Sequence, residues 1–223
     1  MSKTRELHIK NREISLDFVD GKRKILKIKT SEEQPIKLDV EISNRFPLSI
    51  VTTNQFEDGF AYSRNSLGYN LKGSLKYDRR KIDLYGNGNA ITVYNGSIST
   101  TKQIKNDFKM FAEGKINNKQ FLLILDTISD ENCVNSSMIC YDGYTYKLDN
   151  VLAVIKSDEG LRFLGKNDSF SIVFEPHILH FGKNSDKNGV DFGKLKGEIT
   201  LKNHDKVDFE NIGAFVAYNS RMM

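Results

Sequence analysis

Apolar residues occupy every second position through much of this chain, and that period limits what it can fold into. Glu13-Ile14-Ser15-Leu16-Asp17-Phe18, Ile36-Lys37-Leu38-Asp39-Val40-Glu41-Ile42 and Glu198-Ile199-Thr200-Leu201 all alternate. A period of two turns one face of a strand to a core and the other to water. Turn pairs interrupt the runs: Asp20-Gly21, Asp58-Gly59, Asn95-Gly96, Asn117-Asn118 and Asp142-Gly143. Such pairs accept the positive φ of tight hairpins. Of three prolines, Pro47 and Pro176 follow apparent strands. Many short strands with regular turns predict an all-β barrel or sandwich.

One segment resists the pattern. Ile104, Phe108 and Phe111 fall at i, i+4 and i+7, with Thr100 or Thr101 to cap a helix and Gly114 to end it. Phe108, Met110 and Ala112 alternate equally well. Periodicity alone leaves residues 101–113 open between helix and strand.

The 223 residues suffice for one large domain or two small ones. A chain of this size buries roughly 70% of its unfolded surface, so it needs no disulfide staple. Its 33 basic and 29 acidic residues are interspersed, for a net charge of +4. The basic runs Lys22-Arg23-Lys24 and Arg79-Arg80-Lys81 each lie beside a turn. Solvated turns account for them better than a nucleic-acid stripe, so no nucleic-acid partner is expected. Cys133 and Cys140 are too few for a disulfide framework. The first residues hold no secretory core, and the apolar run at 121–125 is too short to span a bilayer. These features predict a cytoplasmic, reduced protein.

The chain also repeats itself. "FVDGKRKIL" starts at Phe18 and "CYDGYTYKL" at Cys140, 122 positions on. "LKGSLKYDRRKIDL" starts at Leu71 and "LKGEITLKNHDKVDF" at Leu195, 124 positions on. Between them, Arg45-Phe46-Pro47 matches Phe174-Glu175-Pro176. Three weak matches in one order predict a duplicated β-unit. The expected boundary lies near residues 98–106, giving units 1–102 and 103–223 that pack together.

Candidate chemistry is sparse. His177 and His180 have a zinc-like spacing, but Pro176 and the preceding strand put i and i+3 on opposite faces. Cys140 sits in an alternating run and reads as a small core residue, not a thiol nucleophile. Gly86-Asn87-Gly88-Asn89 lacks the Lys-Ser/Thr of a phosphate cradle. Asp83, Asp149 and Asp208 read as exposed strand-end charges rather than an acid–base pair. No catalytic residue, metal or cofactor is expected. The best local candidate for ligand contact is Phe60-Ala61-Tyr62-Ser63-Arg64. Phe60, Tyr62 and Arg64 share one strand face, which suits an apolar ligand with an acidic head. The competing reading is an inward strand face with Arg64 reaching past its rim.

Three segments carry a family resemblance. "MICYDGYTYKLDNV" (138–151) resembles the "N-M-x-x-Y-D-G-K-x-x-K-L" segment of the DUF2804 proteins, a family of unknown function. "DFGKLKGEITLKNHDKVDFENIGAFVAYNSR" (191–221) resembles that family's closing strands, and "FAYSRNSLGYNLKGSL" (60–75) resembles its "F-x-Y-x-x-K" segment. The resemblance runs from about residue 50 onward. The family is similar to calycin proteins built of two lipocalin-like barrels. There are departures. The family's Trp-rich motif is absent: Asn95-Gly96-Ser97-Ile98 stands in its place, and the chain has no tryptophan. Asn135-Ser136-Ser137 lacks the family's Glu, Ala217 replaces a Glu, and Arg64 replaces a Lys. The family's longer N-terminus implies that the first unit is an incomplete barrel.

The resemblance implies a strand hairpin over 106–125, turning at Asn117-Asn118. It further implies a small apolar, lipid-like or isoprenoid-type ligand held in a barrel without catalysis. The candidate contacts are Phe60, Tyr62, Arg64, Phe108, Phe111 and Tyr141. Two alternatives stand beside this one. A hydratase or isomerase would need a buried carboxylate or tyrosine as proton donor. An interaction module would work through edge strands.

Overall fold

A computed structural model of the chain describes residues 5–11, 14–20, 24–30, 35–56, 59–77, 79–84, 88–98, 106–128, 137–149, 151–181 and 188–219. Among them there is no α-helix, and the one helical turn is a 3-10 turn at Lys166–Asp168. The strands form two antiparallel sheets. The first has the order β1 (Arg5–Lys10), β2 (Ile14–Asp20), β3 (Lys24–Thr30), β4 (Lys37–Phe56), β5 (Gly59–Tyr77) and β6 (Arg80–Asp83). Its seventh strand, β7 (Gly88–Ile98), pairs β5. The chain divides into two compact units, Met1–Ser49 with Ser66–Thr92, and Ile50–Asn65 with Val93–Met223.

The second sheet has nine strands. They are β8 (Asn106–Ile116), β9 (Lys119–Ile128), β10 (Met138–Tyr141), β11 (Tyr144–Lys147), β12 (Val151–Ser157), β13 (Gly160–Gly165), β14 (Phe170–Phe181), β15 (Asn188–Thr200) and β16 (Lys206–Asn219). Their order is β11-β10-β9-β8-β16-β15-β14-β13-β12. The segment that periodicity left open is thus strand from residue 106, and β8 and β9 form the hairpin that the family resemblance implies. Asn117 and Asn118 turn it with φ of 50° and 64°. Positive φ at both central residues gives the turn whose twist matches the strands. Asp142 (φ 53°) and Gly143 (φ 82°) do the same between β10 and β11. Lys119 supports that turn from β9, with its ammonium 2.8 Å from the Asp142 carboxylate.

Alternation decides the burial. Met110, Phe121, Leu123, Phe163, Phe174 and Val216 lie in one buried cluster with almost no exposure. Each fully buried large apolar side chain contributes about 1.5–3 kcal/mol.

Three turn and loop readings need correction. Asn95-Gly96 is not a turn, because β7 runs through it. Pro47 and Pro176 lie inside β4 and β14 rather than after them. Pro176 is tolerated because its ring nitrogen lies on the β13 side, where the ladder ends at Leu161 opposite Phe174 and a missing N–H costs no regular bond. Gly88 and Asn89 begin β7, whereas Gly86 and Asn87 lie outside the described residues.

The structure carries one part of the sequence repeat in matching strands and the other part in differently placed ones. Gly73 and Gly197, the glycines of the two Leu-Lys-Gly segments, have φ of 149° and 150°. A Cβ on Gly73 would collide with the carbonyl oxygen of Asp39, and one on Gly197 with that of Ser171. Only glycine satisfies both demands. Each lies in the strand that follows a proline-bearing one, so β4-β5-β6 matches β14-β15-β16. The Asp-Gly hairpins do not match. The β2–β3 hairpin feeds β4 directly, with Leu26 opposite Val40. Among the described residues β11 pairs only β10, and β14 pairs the β12–β13 hairpin instead. Tight hairpins select Asp-Gly wherever they occur, which accounts for both occurrences.

Candidate functional site

The register of β15 and β16 sets Gly189 opposite Tyr218 and Asp191 opposite Val216. Residues two apart on a strand share a face, so Gly189 and Asp191 lie side by side. Lacking a side chain, Gly189 lets the Tyr218 ring lie across it; a Cβ there would sit 2.5 Å from the ring's Cζ. The phenol then reaches Asp191 and donates to its Oδ1 at 3.3 Å. Both side chains are buried, Asp191 at 5% exposure and Tyr218 at 6%.

The surroundings are aromatic. Phe108, opposite Tyr218 across β8 and β16, lies 6.4 Å from its ring. Phe163 meets Phe108 edge-on at 6.0 Å. Burial, with the Asp191 charge and hydrogen bond, pushes the Tyr218 hydroxyl up to about 12. A buried carboxylate is costly unless hydrogen-bonded, and this one is bonded to a phenol at the edge of an apolar cluster. It can accept hydrogen bonds, and the phenol beside it can donate or receive a proton.

A second buried polar pair lies on the other face of the same sheet. Lys109 and Asp126 are directly opposite on β8 and β9, with Nζ and Oδ2 3.9 Å apart. Their exposures are 9% and 3%. Burial lowers the Lys109 amine, and the Asp126 charge partly counters it. The Ser137 hydroxyl accepts from the Asp126 backbone N–H at 2.9 Å. This is a buried ion pair within the sheet's packing.

Of the residues singled out from sequence, Phe60, Tyr62 and Arg64 lie on β5 and are exposed, Phe60 by 39% and Tyr62 by 43%. Phe108 joins the aromatic cluster at Asp191. Phe111, three positions on in the same strand, points to the opposite face and packs on Phe215 at 5.0 Å. Phe108 and Phe111 therefore do not line one interior. Tyr141 is partly buried against the core, with the Lys119 ammonium 5.6 Å from its ring. Cys140 is buried at 7% exposure, and burial pushes its thiol up, away from nucleophilic character. Cys133 lies outside the described residues. Strand β14 runs through His177 and His180, and no metal-holding cluster occurs among the described residues.

Sequence reading passed over Asp191, Gly189 and Tyr218. The signal was present. Counting back by twos from buried Leu195 brings Asp191 and Gly189 to the inward face of β15.

The family model for a domain of unknown function, DUF2804, matches residues 1–219, and the chain belongs to that family. The match reaches the first residue, further than the segments from about residue 50 alone implied. No curated protein matches the chain. Two solved structures resemble it. One is a protein provisionally named AttH from Nitrosomonas europaea, at 8% identity and a TM-score of 0.48, with 91% of this chain and 68% of that chain covered. The other is kievitone hydratase from Nectria haematococca, at 10% identity and a TM-score of 0.43, with 93% and 83% covered. These likenesses say nothing of what this chain binds. Among the described residues no helix is long and apolar enough to cross a membrane.

Proposed function

We propose that this DUF2804 member binds a small, largely apolar ligand and leaves it unchanged, with Asp191 and Tyr218 receiving the ligand's polar end. The observation that carries the reading is the Asp191–Tyr218 hydrogen bond at the aromatic edge of an otherwise apolar core. A carboxylate is an acceptor only, so the matching ligand group is a donor such as a hydroxyl. Phe108 and Phe163 would flank an apolar body. Phe60, Tyr62 and Arg64 form a second contact face, suited to an acidic head.

The test is native mass spectrometry of the purified protein, with extraction of any bound molecule. Wild type is expected to carry an apolar molecule that Asp191→Asn or Tyr218→Phe loses. Loss instead on replacing Phe60, Tyr62 and Arg64 together by alanine would move the site to β5. No bound molecule in any preparation, from any growth condition, would sink the reading.

The same hydrogen bond favours a second reading, hydration or isomerisation of such a molecule. A phenol beside a carboxylate is a proton donor–acceptor pair. Hydration would appear as a bound molecule that gains the mass of one water, isomerisation as an unchanged mass with a new chromatographic retention time, and binding alone as no change in either.

A further inference from the structure

Strand β1 ends the first sheet; among the described residues it pairs only β2. An edge strand offers a row of unpaired backbone groups to another chain. The hydrogen-bond phase of this row is known. Asn11 donates its N–H to the Ile14 carbonyl at 2.9 Å, so Asn11 faces β2. In an antiparallel ladder, facing and outward residues alternate. With Ile9 opposite Leu16 and Leu7 opposite Phe18, the backbone groups of Ile9 and Leu7 also face β2. Those of Glu6, His8 and Lys10 face outward.

The side chains continue an apolar face to this edge. One row runs Leu7, Phe18, Leu26, Val40 across four strands, and the next runs Ile9, Leu16, Ile28, Leu38. Exposure grows along the rows, from 3% at Val40 to 50% at Leu7, and Ile9 at the other row's end is 48% exposed. Rows of apolar side chains that reach solvent at a free edge mark an interaction surface.

We propose that β1 pairs antiparallel with β1 of a second copy of this chain about a two-fold axis at His8. The segment Glu6-Leu7-His8-Ile9-Lys10 is complementary to itself in that arrangement. His8 meets His8 of the partner subunit, Leu7 meets the partner's Ile9, and Glu6 meets the partner's Lys10. The outward backbone groups of residues 6, 8 and 10 then face one another, so each such pair exchanges two hydrogen bonds. Leu7 and Ile9 form the closer, non-hydrogen-bonded pairs, on the side that carries the apolar rows. The opposite charges meet on the other side. In each chain His8 stays with its own Asp17, Nδ1 to Oδ1 at 2.7 Å, which offsets the meeting of two imidazoles. A two-fold interface of this kind uses each patch twice and closes on itself. Hydrogen-bond phase, apolar rows and charge order agree on one register, and a one-residue slip would break all three.

The experiment is sedimentation equilibrium of the full chain across a wide concentration range, with four variants. Wild type is expected to dimerise reversibly. Glu6→Lys sets lysine against the partner's Lys10 twice, and Lys10→Glu sets two glutamates together twice. Each single reversal is expected to weaken the dimer about tenfold, as like charges directly opposite do. The double variant Glu6→Lys/Lys10→Glu restores the pair and regains the wild-type Kd. His8→Pro removes an outward N–H that β2 does not use, and is expected to give a folded monomer. A wild type that is monomeric at every concentration overturns the proposal. So does a dimer whose Kd ignores the two reversals, or a double variant no better than the singles. The swap decides the matter even if His8→Pro misfolds.

Discussion

Replacing Tyr218 by phenylalanine tests the Asp191 pair through its pH dependence. The phenol is raised from 10.0 to about 12 in the fold. Two pH units correspond to about 2.7 kcal/mol of preference for the neutral form, at about 1.36 kcal/mol per unit. The ring is buried, but its titrating hydroxyl end is only partly so, and solvent screening leaves only part of that figure as stability. The sign follows from linkage. The folded value lies above the unfolded one, so the contribution is complete below pH about 10 and disappears as pH rises towards about 12. Wild type is expected to be more stable than Tyr218→Phe at neutral pH, with the gap closing across that window. Denaturant unfolding at several alkaline pH values reads it. Gly189→Ala gives an independent arm. Its methyl takes the space of the ring, displaces the phenol and costs the charge-assisted hydrogen bond, about 1.5–3 kcal/mol. Ultraviolet titration of the chain's nine tyrosines should then lose its latest component in both variants. If that component persists in Gly189→Ala, or if the stability gap stays constant to pH 12, the pair is not what holds Tyr218.

Other consequences follow from the same geometry. Gly73→Ala and Gly197→Ala each drive a Cβ into a neighbouring carbonyl oxygen, and each should cost about 4 kcal/mol or more in denaturant unfolding. Gly213→Ala, with nothing within 4 Å of the new Cβ, serves as the control and should stay near wild type. Lys109→Met leaves the buried Asp126 carboxylate without the lysine charge and should cost about 3–5 kcal/mol. Adding Asp126→Leu should recover most of that loss in the same assay. Asn118→Ala puts a residue without asparagine's tolerance of the left-handed region at φ 64° and should lower stability by about 1 kcal/mol in thermal unfolding.

The strand content was legible because alternation and hairpin turns are local, and a local pattern survives most tertiary contexts. Residues 101–113 were ambiguous for a physical reason. Ile104, Phe108 and Phe111 fit a helical face, but only two of them lie among the described residues, and those two point to opposite faces of β8. That sheet buries both faces here, with Met110 at 0% and Phe111 at 4%. A strand buried on both faces loses its polar alternation, so its period could not separate it from a helix.

Asp142-Gly143 and the two Leu-Lys-Gly segments separate local need from shared architecture. Asp-Gly recurs because any tight hairpin of this twist asks for positive φ at both central residues. Its second occurrence therefore needs no common origin, and among the described residues β11 ends its sheet whereas β3 lies between β2 and β4. Gly73 and Gly197 recur for a non-local reason. Each has a φ near 150° and meets the carbonyl oxygen of the preceding strand. No turn propensity selects that combination; only a close crossing of two strands does. The same distinction governs the candidate site. Asp191 has no local signature as a strand residue, and its burial is set by Gly189 beside it and Tyr218 across the ladder. Those partners lie two and 27 positions away, so the site depends on the register between β15 and β16. A shift of one residue in that register would turn Asp191 to the other face and leave Tyr218 without its acceptor.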